Sequence, residues 1–200
     1  MMIALAHATA SSLDTRFLLA LDVQKATEQA NIASASAEEP LAVITDSLGS
    51  KVLFDALDDQ VDKGAGTARS AGIRTRQRIG LVFMRANQLP LLALADPERR
   101  ESDPLKSLSS ERSPVLGAAR FQRTVVAFSD PNDLLSYPLL GSSYRNPQWS
   151  GVKFADVLVS NDRSWLGLIE NPWTAHTAYE KNRDVTRLML HGSDKGSPKP

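Results

Sequence analysis

The chain has no cysteine among its 200 residues, which excludes a disulfide framework and any thiolate metal site. Its 23 basic side chains are matched by 23 acidic ones. No net field therefore recommends nucleic acid or an anionic membrane surface as a partner. No apolar run approaches the roughly 20 residues of a membrane-spanning helix. Histidine is scarce, limited to His7, His176 and His191, with no carboxylate cluster to complete a metal site, so no metal or other cofactor is expected. The opening stretch from Met1 to Ser12 is mildly apolar but lacks the basic segment of a signal peptide. A chain with neither leader nor cysteine reads as cytoplasmic.

What is present suits one domain. Hydrophobic residues make up 42% of the chain, enough at this length for a core of its own. That domain is expected over residues 1–192, and the polar tail 193–200 has too little to bury to be ordered. Leu13, Phe17, Leu18 and Leu21 fall near helical spacing, predicting a helix over 11–29. "LAVIT", from Leu41, is a compact β-branched run that suits a strand buried on both faces. "SKVLFDALDDQV" follows with Val52, Leu53, Ala56 and Leu57 on one helical side.

Further along, "DKGAGTARSAGIRTRQ" carries glycine and arginine and reads as a loop. "RIGLVFM" is a second strand. "ANQLPLLALAD" follows it, and Pro90 argues against a long helix there. In that stretch Asn87 and Gln88 read as caps of a short helix or as contacts to a ligand at the strand rim. The polar segment from Glu98 to Pro114 reads as a mobile insertion. "RTVVAFSD" and "FADVLVSND" are the third and fourth strands. A last helix is expected from Trp173 to Leu190, packing through Tyr179, Val185, Leu188 and Leu190. Phe54, Phe83, Phe128 and Trp165 read as packing residues; Trp149, Trp173 and Tyr179 read as packing residues first and as the lining of a pocket near His176 second.

Apolar strands alternating with helices imply an α/β architecture with a mostly parallel sheet and flanking helices. Ligands of such sheets gather at the carboxyl ends of the strands. Ser47 follows the first of the four strands, Asp130 and Asp133 follow the third, and His176 follows the fourth, near the start of the last helix. A parallel sheet puts all of them on one rim, in the chain order Ser, Asp, His.

The segment Thr45-Asp46-Ser47-Leu48-Gly49 resembles the strand-to-helix elbow G-x-S-x-G of the α/β-hydrolase family, whose acid and histidine follow the serine in that order. Gly49 matches the second glycine, and Thr45 stands where the first would be. The resemblance runs from about Leu41 to Gly192 and covers the C-terminal half of that three-layer sandwich. It implies a serine esterase or lipase-like enzyme, with Ser47 as nucleophile, His176 as general base and the Leu48 N–H as one oxyanion donor. "NDLLSYP" is similar to the family's acid loop and recommends Asp133 as the orienting acid. Asp130, directly at the strand end before a proline, is its rival. The family takes its second oxyanion donor from a loop after an early strand. Such strands are expected to be missing here, where the chain opens on a helix.

The substrate implied is a small-molecule or lipid-like ester, with no nucleic acid and no membrane span. Oligomeric state stays open. Other readings remain at this point. Ser47 reads equally as a helix cap, and the chain as a non-catalytic, truncated remnant or interaction module, or as a scaffold whose open sheet edge recruits a strand.

Overall fold

The computed structural model describes residues 2–6, 40–62, 66–95, 115–116, 119–120, 123–139, 152–161 and 171–192. In chain order the elements are β1 (Met2–Ala6), β2 (Leu41–Asp46), α1 (Gly49–Asp62), α2 (Thr67–Arg78), β3 (Ile79–Arg85) and α3 (Leu89–Ala95). They continue with β4 (Val115–Leu116), β5 (Ala119–Arg120), β6 (Arg123–Ser129), β7 (Val152–Leu158), α4 (Pro172–Thr177), a 3-10 turn (Tyr179–Lys181) and α5 (Arg183–His191). The expected helix over 11–29, the insertion after Glu98, Trp149, Trp165 and the tail lie outside the described residues.

Five strands form one sheet in the order β1-β2-β3-β6-β7, and every neighbouring pair is parallel. β4 and β5 make a separate antiparallel pair. The fold class is thus the expected α/β arrangement, and its physical signature is the burial of β2. Leu41, Ala42, Val43, Ile44 and Thr45 are all buried, as a strand requires when helices cover both sides of a parallel sheet.

Alternation of side chains along the strands divides the core in two. Leu41, Val43, Met84, Val125 and Ala127 point to one face, where Leu53, Phe54 and Leu57 of α1 and Leu89 of α3 cover them. Ile44, Phe83 and Phe128 point to the other, against Tyr179, Val185 and the partly buried Leu188 and Met189. Helix, sheet and helix make three layers, and each strand end between them opens on the same rim.

Three expectations need correction. The first described element is a strand: Met2–Ala6 pairs with Leu41–Thr45, so β2 has a neighbour on the side where none was expected. Residues 67–78 form a helix, not a loop. Their arginine, alanine and glutamine residues have good helix propensity, and polarity obscured the pattern. α2 runs directly into β3, the Ile79 N–H closing on Thr75 O. Finally, the single helix expected over 173–190 is split into α4, the 3-10 turn and α5. Two asparagines supply the reason. Asn171 and Asn182 each accept from N–H groups at a helix start, so each begins a new helix. The break also shifts the packing face: Tyr179 and Val185 are buried, whereas Leu190 is exposed.

These placements make Leu53 and Leu190 opposite in energetic weight. Leu53→Ala is expected to lower the unfolding free energy by about 2–5 kcal/mol, seen as a lower urea midpoint at an unchanged m-value. Leu190→Ala should stay within about 0.5 kcal/mol of the parent. Equal losses from the two would contradict the observed helix register.

Candidate active site

The turn after β2 is backbone-strained. Ser47 has a φ of 53°, a left-handed conformation that costs a non-glycine residue of order 1–3 kcal/mol and persists only where surroundings impose it. They do so on both sides. The Ser47 N–H donates to Arg85 O at 2.9 Å, extending the ladder to β3 one residue past the end of β2. Arg85 also holds Asp46 by two bonds, Nε to Oδ1 at 2.6 Å and Nη2 to Oδ2 at 2.5 Å. The carboxylate next to the serine is thereby neutralised by a bidentate partner. On the helix side, the Thr45 and Ser50 hydroxyls bond to each other at 2.9 Å, and both residues are fully buried. Thr45, larger than the glycine the elbow pattern expects, ties strand to helix through its hydroxyl.

Ser47 Oγ lies 3.0 Å from His176 Nε2. The Nδ1 of the same ring lies 2.9 Å from Asp133 Oδ1 and 3.0 Å from Oδ2. An ionised carboxylate can only accept, so Nδ1 carries a ring proton, and in the neutral ring Nε2 is then the nitrogen that accepts from the serine hydroxyl. Three residues separated by 43 to 129 positions thus form one hydrogen-bonded line across the rim.

Asp133 and Asp130 have different neighbours. Asp133 is almost fully buried, and besides His176 it accepts from Leu135 N at 3.0 Å and from the Tyr179 hydroxyl at 3.1 Å. Asp130 is also buried, but its acceptors are used by the loop itself: Oδ1 takes Asn132 N, and Oδ2 takes Asn161 N at 2.7 Å. The geometry therefore brings Asp133 to the imidazole and leaves Asp130 bridging the ends of β6 and β7.

From that bridge a second chain of bonds reaches the histidine. Asn161 donates its amide to Ala175 O at 2.6 Å, one residue before His176. Asn182 donates to Asn161 Oδ1 and to Ser160 O, each at 2.9 Å. α4 is held at both its start and its buried side, which fixes where His176 projects. His176 sits in the last turn of α4, not at the start of a long helix as expected. Trp173, on the first turn, is exposed, not packed as expected.

Sequence reasoning gave three contributors too little weight. Gln88 Nε2 donates to Ser47 Oγ at 2.8 Å. Asn87, fully buried, bonds Tyr137 O through its amide at 2.9 Å and caps Leu89 N at 3.2 Å. Of the two roles weighed for this pair, Asn87 takes the cap, while Gln88 contacts the Ser47 side chain. The third is Tyr179, for which packing was preferred over a place near His176; it donates to Asp133. Two polar residues breaking an apolar run at a strand end were the available signal for Asn87 and Gln88. Nothing local marked Tyr179, whose partners are at positions 130 and 133.

Leu48 follows Ser47 directly and precedes Gly49, the first residue of α1, where backbone N–H groups lack intrahelical acceptors. A cavity of about 210 Å³ lies on the α5 side of the sheet, lined mainly by Ala42, Ile44, Phe83, Met189 and Leu190. Its lining includes none of Ser47, Asp133 and His176. Among the described residues no helix is long and apolar enough to cross a membrane, and no group of three or more His, Cys, Asp or Glu could hold a metal ion. Comparison with family models, with curated proteins and with solved structures finds no match for this chain.

Burial raises the Tyr179 phenol above the ordinary tyrosine range, and the neighbouring Asp133 charge acts in the same direction. The folded protein thus keeps this proton at a pH where the unfolded chain releases it. Stability linked to the group is complete below the unfolded pKa of about 10 and falls as pH rises toward the folded value. Tyr179→Phe should remove that loss. Urea midpoints of parent and variant measured near pH 8 and near pH 11 should show the parent falling further, by a margin set by this one proton. Parallel declines would show that Tyr179 is not shielded.

Proposed function

We propose that this chain is a serine hydrolase acting on an ester or related acyl bond, and that it is a member of the α/β-hydrolase family. The observation that carries the reading is the line Ser47 Oγ, His176 Nε2, His176 Nδ1, Asp133, with both hydrogen bonds within 3.0 Å. A histidine poised between a carboxylate and a serine at a strained turn has the arrangement needed to activate a weak nucleophile.

In the proposed reaction Ser47 Oγ attacks the carbonyl carbon while its proton passes to His176 Nε2. The carbonyl electron pair moves to oxygen, where the Leu48 N–H donates to the developing charge. The tetrahedral intermediate then collapses. The bond to the leaving group breaks, the imidazolium gives that group its proton, and an acyl ester remains on Ser47. Water repeats the sequence, losing a proton to His176 and releasing the acid as Oγ recovers its hydrogen. Asp133 stays ionised throughout, holding the imidazole tautomer and stabilising the imidazolium. The Arg85 pair on Asp46 matters here, because a free carboxylate beside Ser47 would oppose negative charge at the carbonyl oxygen. The substrate this reading favours is a small or lipid-like ester.

Labelling with a fluorophosphonate probe tests the proposal directly. The folded chain should be labelled at Ser47, and Ser47→Ala and His176→Ala should not be. Asp133→Asn should reduce hydrolysis of p-nitrophenyl esters by about 10⁴-fold with the fold intact. Asp130→Asn, which loosens the loop bridge, should cost stability of about 1–3 kcal/mol with a much smaller effect on rate. The assignment of the acid fails if Asp130→Asn is the more inactive of the two. Undiminished labelling of Ser47→Ala would remove the hydrolase reading altogether.

A further inference from the structure

Ser47 Oγ has one proton to donate and two lone pairs to accept with. Two groups approach it: His176 Nε2 at 3.0 Å and the Gln88 side-chain amide at 2.8 Å. If the amide presented its oxygen, two acceptors would compete for the single serine proton, and one close contact would be left without a hydrogen. With its N–H presented, both contacts are satisfied. The amide fills a lone pair of Oγ, and the proton has one acceptor, the imidazole nitrogen.

The backbone carrying Gln88 is held in place. Ala86, two residues before it in the strand-end turn, has a φ of 50°. Asn87 O accepts from Tyr137 N at 2.9 Å, while the Asn87 amide bonds Tyr137 O at 2.9 Å. Gln88 O accepts from Leu92 N at 3.0 Å inside α3. The side chain itself is only half-buried, so it can turn about a fixed base.

We infer that the Gln88 amide is a catalytic donor of the Ser47 site, keeping the serine proton directed at His176 Nε2 in the resting enzyme and donating to the carbonyl oxyanion in the tetrahedral intermediate. This rests on the reading of Ser47 as nucleophile. When Oγ bonds to the carbonyl carbon, the oxyanion lies two bonds from the atom the amide already touches. As Oγ becomes an ester-like oxygen and a poorer acceptor, the charged oxygen becomes the better one. A small turn of the side chain moves the N–H from one to the other, beside the Leu48 N–H. Two donors then face the charge, as such intermediates require, and one of them comes from the end of β3.

The test compares the full chain with Gln88→Met, similar in shape without a donor, and Gln88→Glu, whose ionised form can only accept. With p-nitrophenyl butyrate, Gln88→Met should lower kcat by about 10²-fold or more, the loss associated with one oxyanion donor, with KM nearly unchanged. The second-order rate of fluorophosphonate labelling should fall in parallel. Gln88→Glu should lose more activity near pH 8 than near pH 5, relative to the parent at each pH, because its carboxylate repels the oxyanion once ionised. Melting temperatures of both variants should stay within about 4 °C of the parent, separating chemistry from folding. Parent and Gln88→Met labelled at equal rates would overturn the role of Gln88 and leave the hydrolase reading standing. A loss expressed wholly in KM would overturn it too, since it would assign Gln88 to substrate binding. No labelling of the folded parent would remove the nucleophile and the Gln88 role with it.

Discussion

A carboxylate with almost no exposed surface must be surrounded by donors, and the rim of this protein is organised around that requirement at Asp133. Its two oxygens receive a backbone N–H from its own loop, a buried phenol from the turn after α4, and an imidazole N–H from α4 itself. These donors come from segments more than 40 residues apart. Satisfying the charge therefore brings α4 and the 3-10 turn after it onto the end of β6. The orientation of His176, and through it the partner of Ser47, follows from the need to neutralise one buried anion.

Two features make that arrangement rigid. Asp130 performs for the loop what Asp133 performs for the histidine. By bonding Asn132 and Asn161 it joins the ends of β6 and β7, and Asn161 and Asn182 extend the connection to α4 and α5. On the other side, Arg85 links the end of β3 to the end of β2 through both Asp46 and the Ser47 N–H. The strained φ of Ser47 is tolerable because its neighbours on either strand are fixed. Tyr179 joins the two aspartates directly, donating to Asp133 and accepting from Asp130 N. In the proposed chemistry each of these residues acts through another, whereas His176 and Gln88 both touch the Ser47 oxygen.

The elements read well from sequence were those whose apolar pattern was strong and local. "LAVIT", "RIGLVFM", "RTVVAFSD" and "FADVLVSND" correspond to β2, β3, β6 and β7, and the side of α1 that packs is the one its spacing indicated. α2 was lost because its buried residues include Thr75, Arg76 and Arg78, which no hydrophobic pattern flags. The last helix was over-extended because Asn171 and Asn182 look unremarkable in a string, yet each accepts from N–H groups that only a new helix start leaves free. Met2–Ala6 was passed over as an opening stretch. Five residues of modest apolarity acquire strand character only by pairing with Leu41–Thr45.

By itself the sequence determined that the sheet would be parallel and doubly covered, since continuous apolar strands separated by amphipathic helices have few other ways to bury themselves. It also determined which polar residues would stand just beyond the strand ends, because position along a strand is a local property. Only the tertiary structure decided between Asp130 and Asp133, directed Gln88 to the serine oxygen, and set Asp46 against Arg85. Those outcomes depend on which side chains meet across tens of residues. Hydrogen bonds act over about 3 Å, a distance that chain order does not encode and that packing of the whole domain sets.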